Sequence, residues 1–146
     1  MAVYYLDTSA LIKRYRTEAG TQVMGVLFSG RRDDDVFTTS HFASLEVESV
    51  AARALKARLL NRRAHGVMLR LFAEDLEQRI VVLPLFTALV SNAAEVARRY
   101  AVRAGDSIHL ASALRVKEAV SVEAVFVTSD AELLQEPGHH SINVFT

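Results

Sequence analysis

Short, continuously apolar runs alternate along the chain with longer stretches in which apolar residues recur every three to four positions. The first run, residues 3–6, is rich in β-forming side chains and ends at Asp7. Helical spacing follows over residues 9–15 and again over 20–28. The charged cluster at 31–35 predicts a turn, and residues 36–39 predict a second short strand. Residues 41–60 read as one long helix with Ala43, Val47, Val50 and Ala54 on its apolar stripe. Residues 61–78 read as another, with Val67, Leu71 and Phe72 toward the core. The run 80–83 is stopped by Pro84. Helices are expected over 87–100 and 106–118, the latter presenting Ile108, Ala111 and Leu114. A strand at 124–127, a short helix at 129–135 and a last strand at 142–145 complete the pattern.

Strands that are apolar throughout and separated by helices predict an α/β fold. The expected architecture is a three-layer α/β/α sandwich around a mostly parallel sheet of four to five strands. In such sheets ligands bind beyond the carboxyl ends of the strands, near the point where strand order reverses. The 146 residues predict a single domain over 1–146. A domain of that size buries roughly 68–70% of its unfolded surface and needs no staple to fold. The absence of Cys excludes disulfide frameworks, thiolate zinc sites and thiol nucleophiles. The longest apolar stretch, 80–90, is broken by Pro84 and is far shorter than the roughly 20 residues of a membrane span. Asp7 stands where a signal peptide needs its apolar run, so a soluble cytoplasmic protein is expected.

Lys and Arg number 17 and so do Asp and Glu, which leaves no global attraction to nucleic acid. The charge is unevenly spread, net +4 over residues 1–73 and net −4 over 74–146. Arg53, Lys56, Arg58, Arg62, Arg63 and Arg70 form a stretch without an acid inside it. Such a patch either binds phosphate or is a solvated face.

The strand assignments put four acids on one rim. Asp7 follows the first strand, and Asp130 follows the strand 124–127 after Thr128 and Ser129. Glu46 lies in the early turns of the helix after 36–39, and Asp106 opens the helix 106–118. Taken singly, Asp at a strand-to-helix turn is an ordinary N-cap. Glu46 is harder to explain that way, because it shares a helical stripe with Phe42 and Val50. Four clustered carboxylates raise one another's pKa unless a cation neutralises them. Their hard oxygen donors suit Mg²⁺ or Mn²⁺ rather than zinc. Such ions can activate water for in-line displacement at a phosphate. No Walker pattern and no Gly-x-Ser-x-Gly occurs. Thr8, Ser9, Thr128 and Ser129 flank the acids and either orient them or cap helices. His109, one turn after Asp106, reads as a packed or hydrogen-bonded residue ahead of a site residue, and His139 and His140 read as surface loop.

The segment Val3-Tyr4-Tyr5-Leu6-Asp7-Thr8-Ser9-Ala10-Leu11 resembles the start of PIN domains. Glu46 within Ala43-Ser44-Leu45-Glu46-Val47 is similar to their second acid. Gly105-Asp106-Ser107-Ile108-His109-Leu110-Ala111 resembles their central acidic helix, and Val127-Thr128-Ser129-Asp130 their late Thr-x-Asp element. Chain length and the 15–20 stretch, with Glu18 and Gly20, most resemble the VapC-type toxins of toxin–antitoxin pairs. The resemblance implies an Mg²⁺- or Mn²⁺-dependent endoribonuclease that cuts RNA with metal-activated water. Asp7 and Asp106 would be the main ligands, Glu46 would bind metal or position water, and Asp130 would complete the site through water. Thr128 matches the family hydroxyl beside the last acid, with Thr8 and Ser9 in support. Arg53, Lys56, Arg58, Arg62 and Arg63 are the candidate RNA contacts. The resemblance further implies a homodimer and a small antitoxin that blocks the cleft.

The alternatives are a PIN-family RNA-processing nuclease outside such a pair and a catalytically silent PIN interaction module. A phosphorelay receiver would need paired acids after the first strand, where Asp7 stands alone, and a Lys after the last.

Overall fold

The computed structural model describes residues 1–130, Leu133 and the strand Asn143–Phe145. The chain runs β1 (Ala2–Leu6), α1 (Thr8–Tyr15), α2 (Thr21–Ser29), β2 (Val36–Ser40), α3 (His41–Lys56) and α4 (Arg62–Gln78). It continues through β3 (Ile80–Leu83), α5 (Thr87–Tyr100), α6 (Ala104–Ala119), β4 (Glu123–Val127) and β5 (Asn143–Phe145). The five strands are parallel and lie in the order β3-β2-β1-β4-β5.

Alternation along β1 divides the core in two. Leu6 joins Phe37, Ile80 and Val127 against Leu11, Met24, Val47 and Phe72 of α1 to α4. Val3 and Tyr5 point the other way and join Phe126 against Ala113 and Val116 of α6. Leu89 and Ala93 of α5 pack on Ile108 and Ala111 of α6. Helices therefore cover both faces, and the molecule is the expected three-layer sandwich. Central strands buried on both faces have no polar side to show, which is why β1 and β4 read as unbroken apolar runs.

Three details differ from the sequence expectation. The helix expected over 41–60 ends at Lys56, where the chain turns through Arg58 at φ 59°. Asn61 then caps α4, its side chain accepting from the Ala64 N–H at 2.8 Å. Within α4 the buried stripe is Met68, Phe72 and Asp75, while Val67 and Leu71 are exposed. Helix α6 begins at Ala104, so Asp106 lies inside its first turn instead of opening it. Most of the helix expected over 129–135, together with Ile142, His139 and His140, lies outside the described residues. No helix among the described residues is long and apolar enough to cross a membrane.

Strand order reverses beside β1. The chain moves from β1 outward to β2 and β3, then returns to place β4 and β5 on the other side. The Asp7 N–H donates to the Val127 carbonyl at 3.1 Å, so the two strands part just past that bond. A crevice opens there, at the carboxyl edge.

Candidate active site

Asp7 occupies the single position between β1 and α1 and is the N-cap of that helix. Its Oδ1 accepts from the Ala10 N–H at 2.9 Å and the Ser9 hydroxyl at 2.7 Å. Its Oδ2 accepts from the Thr128 hydroxyl, supplied by the end of β4. Asp7 is only 3% exposed, and burial holds its carboxyl above the ordinary value against the pull of these donors. A carboxylate has about four acceptor positions, so three donors leave one free. The cap reading and the site reading of Asp7 are thus compatible.

Glu46 is held from a different direction. Its Oε1 accepts from the Thr8 hydroxyl at 2.7 Å and lies in hydrogen-bond contact with Nε2 of His109. Burial alone would raise the Glu46 carboxyl, yet the hydrogen bonds from His109 and Thr8 outweigh it and leave it below the ordinary value. An ionised carboxylate only accepts, so Nε2 of His109 carries its hydrogen. The other ring nitrogen, Nδ1, meets the Tyr5 hydroxyl at 2.9 Å. Tyr5 and His109 are each 2% exposed, and burial holds the Tyr5 phenol far above its ordinary range, so it keeps its proton.

Asp106 and Asp130 face each other across one guanidinium. Arg103, at the N-cap position of α6, lies 3.4 Å from Asp106 Oδ2 and 3.6 Å from Asp130 Oδ2. Burial and the charge of Asp130 both raise the Asp106 carboxyl, and Arg103 offsets them in part. The Asp130 N–H donates to the Thr128 hydroxyl at 3.0 Å, which ties this acid to the Thr128–Asp7 bond. The position of Asp106 near the helix N-terminus also favours negative charge.

The four acids line one open cleft of about 380 Å³ with Thr8, Ser9, Ser129, His109, Arg16, Glu18 and Arg103. Size does not single it out, since a hollow of about 370 Å³ lies between α5 and α6. The concentration of carboxylates does. The structure thus brings together Asp7, Glu46, Asp106 and Asp130 with Thr8, Ser9 and Thr128. Arg53, Lys56, Arg58, Arg62 and Arg63 are exposed at the end of α3, the turn after it and the start of α4, and none of them lines the cleft. Lys56 is ten residues from Glu46 along α3, a distance of about 15 Å. The arginines beside the acids are Arg16 and Arg103, which the sequence pattern did not single out.

The donor set fits Mg²⁺ or Mn²⁺, because every acid offers oxygen alone. No three His or acidic side chains among the described residues close around one point. Mg²⁺ keeps several waters and needs only one or two carboxylates. Asp106 and Asp130 already share one cation, the Arg103 guanidinium.

A sequence model of the PIN domain matches residues 4–136, and the chain belongs to the PIN domain family. It is 31% identical over 126 residues to Ribonuclease VapC45 of Mycobacterium tuberculosis, covering 86% of this chain and 85% of that protein. The fold is shared with VapBC2 from Rickettsia felis, solved with a DNA fragment from their promoter, at a TM-score of 0.67. That match is 11% identical and covers 98% of this chain and 97% of the other. A toxin-antitoxin complex from Klebsiella pneumoniae matches at a TM-score of 0.63 and 15% identity, covering 98% and 96% of the two chains.

Proposed function

We propose that the chain is the ribonuclease toxin of a toxin–antitoxin pair, a metal-dependent endoribonuclease that hydrolyses an RNA phosphodiester in the cytoplasm. The observation that carries this reading is the cleft at the β1–β4 crevice, where acids from four remote segments meet two arginines. The ribonuclease of Mycobacterium tuberculosis and the Klebsiella pneumoniae complex support it by what they are called.

Asp106 and the free acceptor position of Asp7 would hold Mg²⁺ or Mn²⁺, with Asp130 completing the site and the Glu46 carboxylate on the same cleft. The ion, when bound, supplies Lewis-acid activation of water and neutralises charge at the phosphate. Arg103 turns from Asp106 and Asp130 to the phosphate oxygens, and Arg16 contacts the backbone beside them. Glu46, ionised and pinned through Oε1, orients the attacking water. Exposed apolar side chains support the two protein contacts proposed with this reading, an antitoxin and a second copy of the chain. Among the described residues they include Val26, Leu45, Val67, Leu71, Val81, Leu85 and Val90.

The test is cleavage of RNA by the purified chain. EDTA should abolish it, and added Mg²⁺ or Mn²⁺ should restore it. Cleavage that persists in EDTA removes the metal from the reading, and no cleavage under any condition removes the nuclease.

A further inference from the structure

Glu46 has a flexible side chain, yet both its oxygens are constrained. Thr8 and His109 converge on Oε1. Opposite them, Oε2 lies against Gly105, where an added Cβ would stand 3.1 Å from Oε2, 3.3 Å from Phe42 Cε1 and 3.8 Å from Glu46 Cδ. Gly105 is in the first turn of α6 with no left-handed backbone to require glycine. Glycine is a poor helix former, so local propensity does not explain it either. The close approach of the Glu46 carboxylate does. On the far side of the imidazole, Tyr5 fixes the ring through Nδ1 and is itself packed under the sheet among Phe126 and Val3.

We propose that His109 is a positioning residue for Glu46: braced by Tyr5, it pins Oε1 while the bare Cα of Gly105 leaves Oε2 the space to face the cleft beside Asp106. The proposal rests on the metal-dependent nuclease reading and adds Tyr5, His109 and Gly105 to it. A carboxylate held in one pose loses no further rotamer freedom when it engages water or metal. Groups of this kind typically carry a 10- to 100-fold effect on metal affinity or activity.

The experiment compares the parent with H109L, H109Q and G105A, each also in an E46Q background. Mn²⁺ affinity is read by calorimetry, kcat and KM on an RNA oligonucleotide, and Tm in EDTA. H109L should lower kcat or Mn²⁺ affinity about 10- to 100-fold with KM for RNA nearly unchanged. H109Q, whose amide can still donate to Oε1, should recover much of the loss. G105A should show an unchanged or raised Tm together with a reduced kcat, a combination that a structural role cannot produce. In the E46Q background both changes should have little further effect, because they act through Glu46. Effects that stay additive in that background overturn the proposal, as does G105A with parental kinetics. A parent that binds no Mn²⁺ overturns the metal-dependent reading and the proposal together. A parent that binds and cleaves, with H109L and G105A indistinguishable from it, overturns this proposal alone.

Discussion

Two acids of the cleft are held in opposite ways, and the difference decides what each substitution does. Asp7 accepts from three neighbours and is nearly closed to solvent, whereas Asp106 faces Asp130 through a single arginine. Asp106→Asn removes a charge that its surroundings disfavour. It should lose RNA cleavage by about a hundredfold or more, since metal-assisted charge stabilisation is worth several kcal/mol. Its Tm in EDTA should equal or exceed that of the parent, and it should gain less Tm from Mn²⁺. Asp7→Asn keeps an oxygen for the Ala10 N–H, and the Thr128 hydroxyl can turn to accept from the amide. It should stay within about 1 kcal/mol of the parent, whereas Asp7→Ala loses the cap and should cost about 1–2 kcal/mol by urea unfolding. The four acids were legible in the sequence because each follows a strand or lies early in a helix, which places it on the carboxyl rim. Arg16, Arg103 and the Tyr5–His109 contact were not, because packing between distant elements decides where those side chains end.

At the scale of elements, two buried aspartates that do not line the cleft fasten the structure. Asp35, in the turn before β2, accepts from the Ala2 N–H at 2.8 Å and so anchors the start of β1. Its burial opposes the charge, yet the N–H groups of Arg32 and Ala2 and the Arg32 guanidinium bring its carboxyl down to about 2. A depressed folded-state pKa stabilises above the ordinary value and ceases to do so as pH falls through the depressed one. Asp35→Asn should therefore be less stable than the parent at neutral pH, with the gap narrowing below about pH 4 and closing near pH 2. Urea unfolding at stepped pH measures it, and a gap independent of pH would contradict the assignment. Asp75 of α4 receives Arg14 and the Tyr15 hydroxyl from α1 and Arg79 from the end of its own helix. Asp75→Ala leaves the partly buried Arg14 without its partner and should cost about 3–5 kcal/mol. The same residue explains why the phase of α4 was misread. Its stripe is Met68, Phe72 and Asp75, and a buried acid carries no apolar signal, so Val67 and Leu71 gave a competing stripe one position away. The overrun of α3 has a similar origin: Leu59 and Leu60 prolong the apolar spacing, and no Gly or Pro marks the turn that Arg58 makes.

For the whole molecule, charge placement predicts the salt dependence of the proposed RNA binding. Zero net charge means that affinity depends on local arginines. On a short oligonucleotide that fills only the cleft, binding should weaken with salt at a log–log slope of roughly −0.7 per phosphate contact. Arg16→Gln with Arg103→Gln should flatten that slope. Neutralising Arg53, Lys56, Arg58, Arg62 and Arg63 should leave it unchanged, because these residues stand away from the acids. A longer RNA whose slope does respond to the second set would assign that stretch to the path of the strand beyond the cleft. At this scale the sequence was most informative. Runs of apolar residues separated by helical spacing are sufficient for a parallel sandwich, and the position of β3 was read to the residue. Strand order was not readable, since pairing between β1 and β4 joins segments from opposite ends of the chain.

That pairing also sets a schedule. The Thr128–Asp7 hydrogen bond spans 121 positions, and β4 is the strand that carries Thr128 to the crevice. Synthesis delivers Asp7 well before Thr128. Until β4 docks beside β1, Asp7 has no Thr128 and Asp106 has no Asp130 opposite it. A growing chain on the ribosome therefore carries the acids without the cleft. The cleft is thus a product of sheet completion and exists only once β4 has been made and docked.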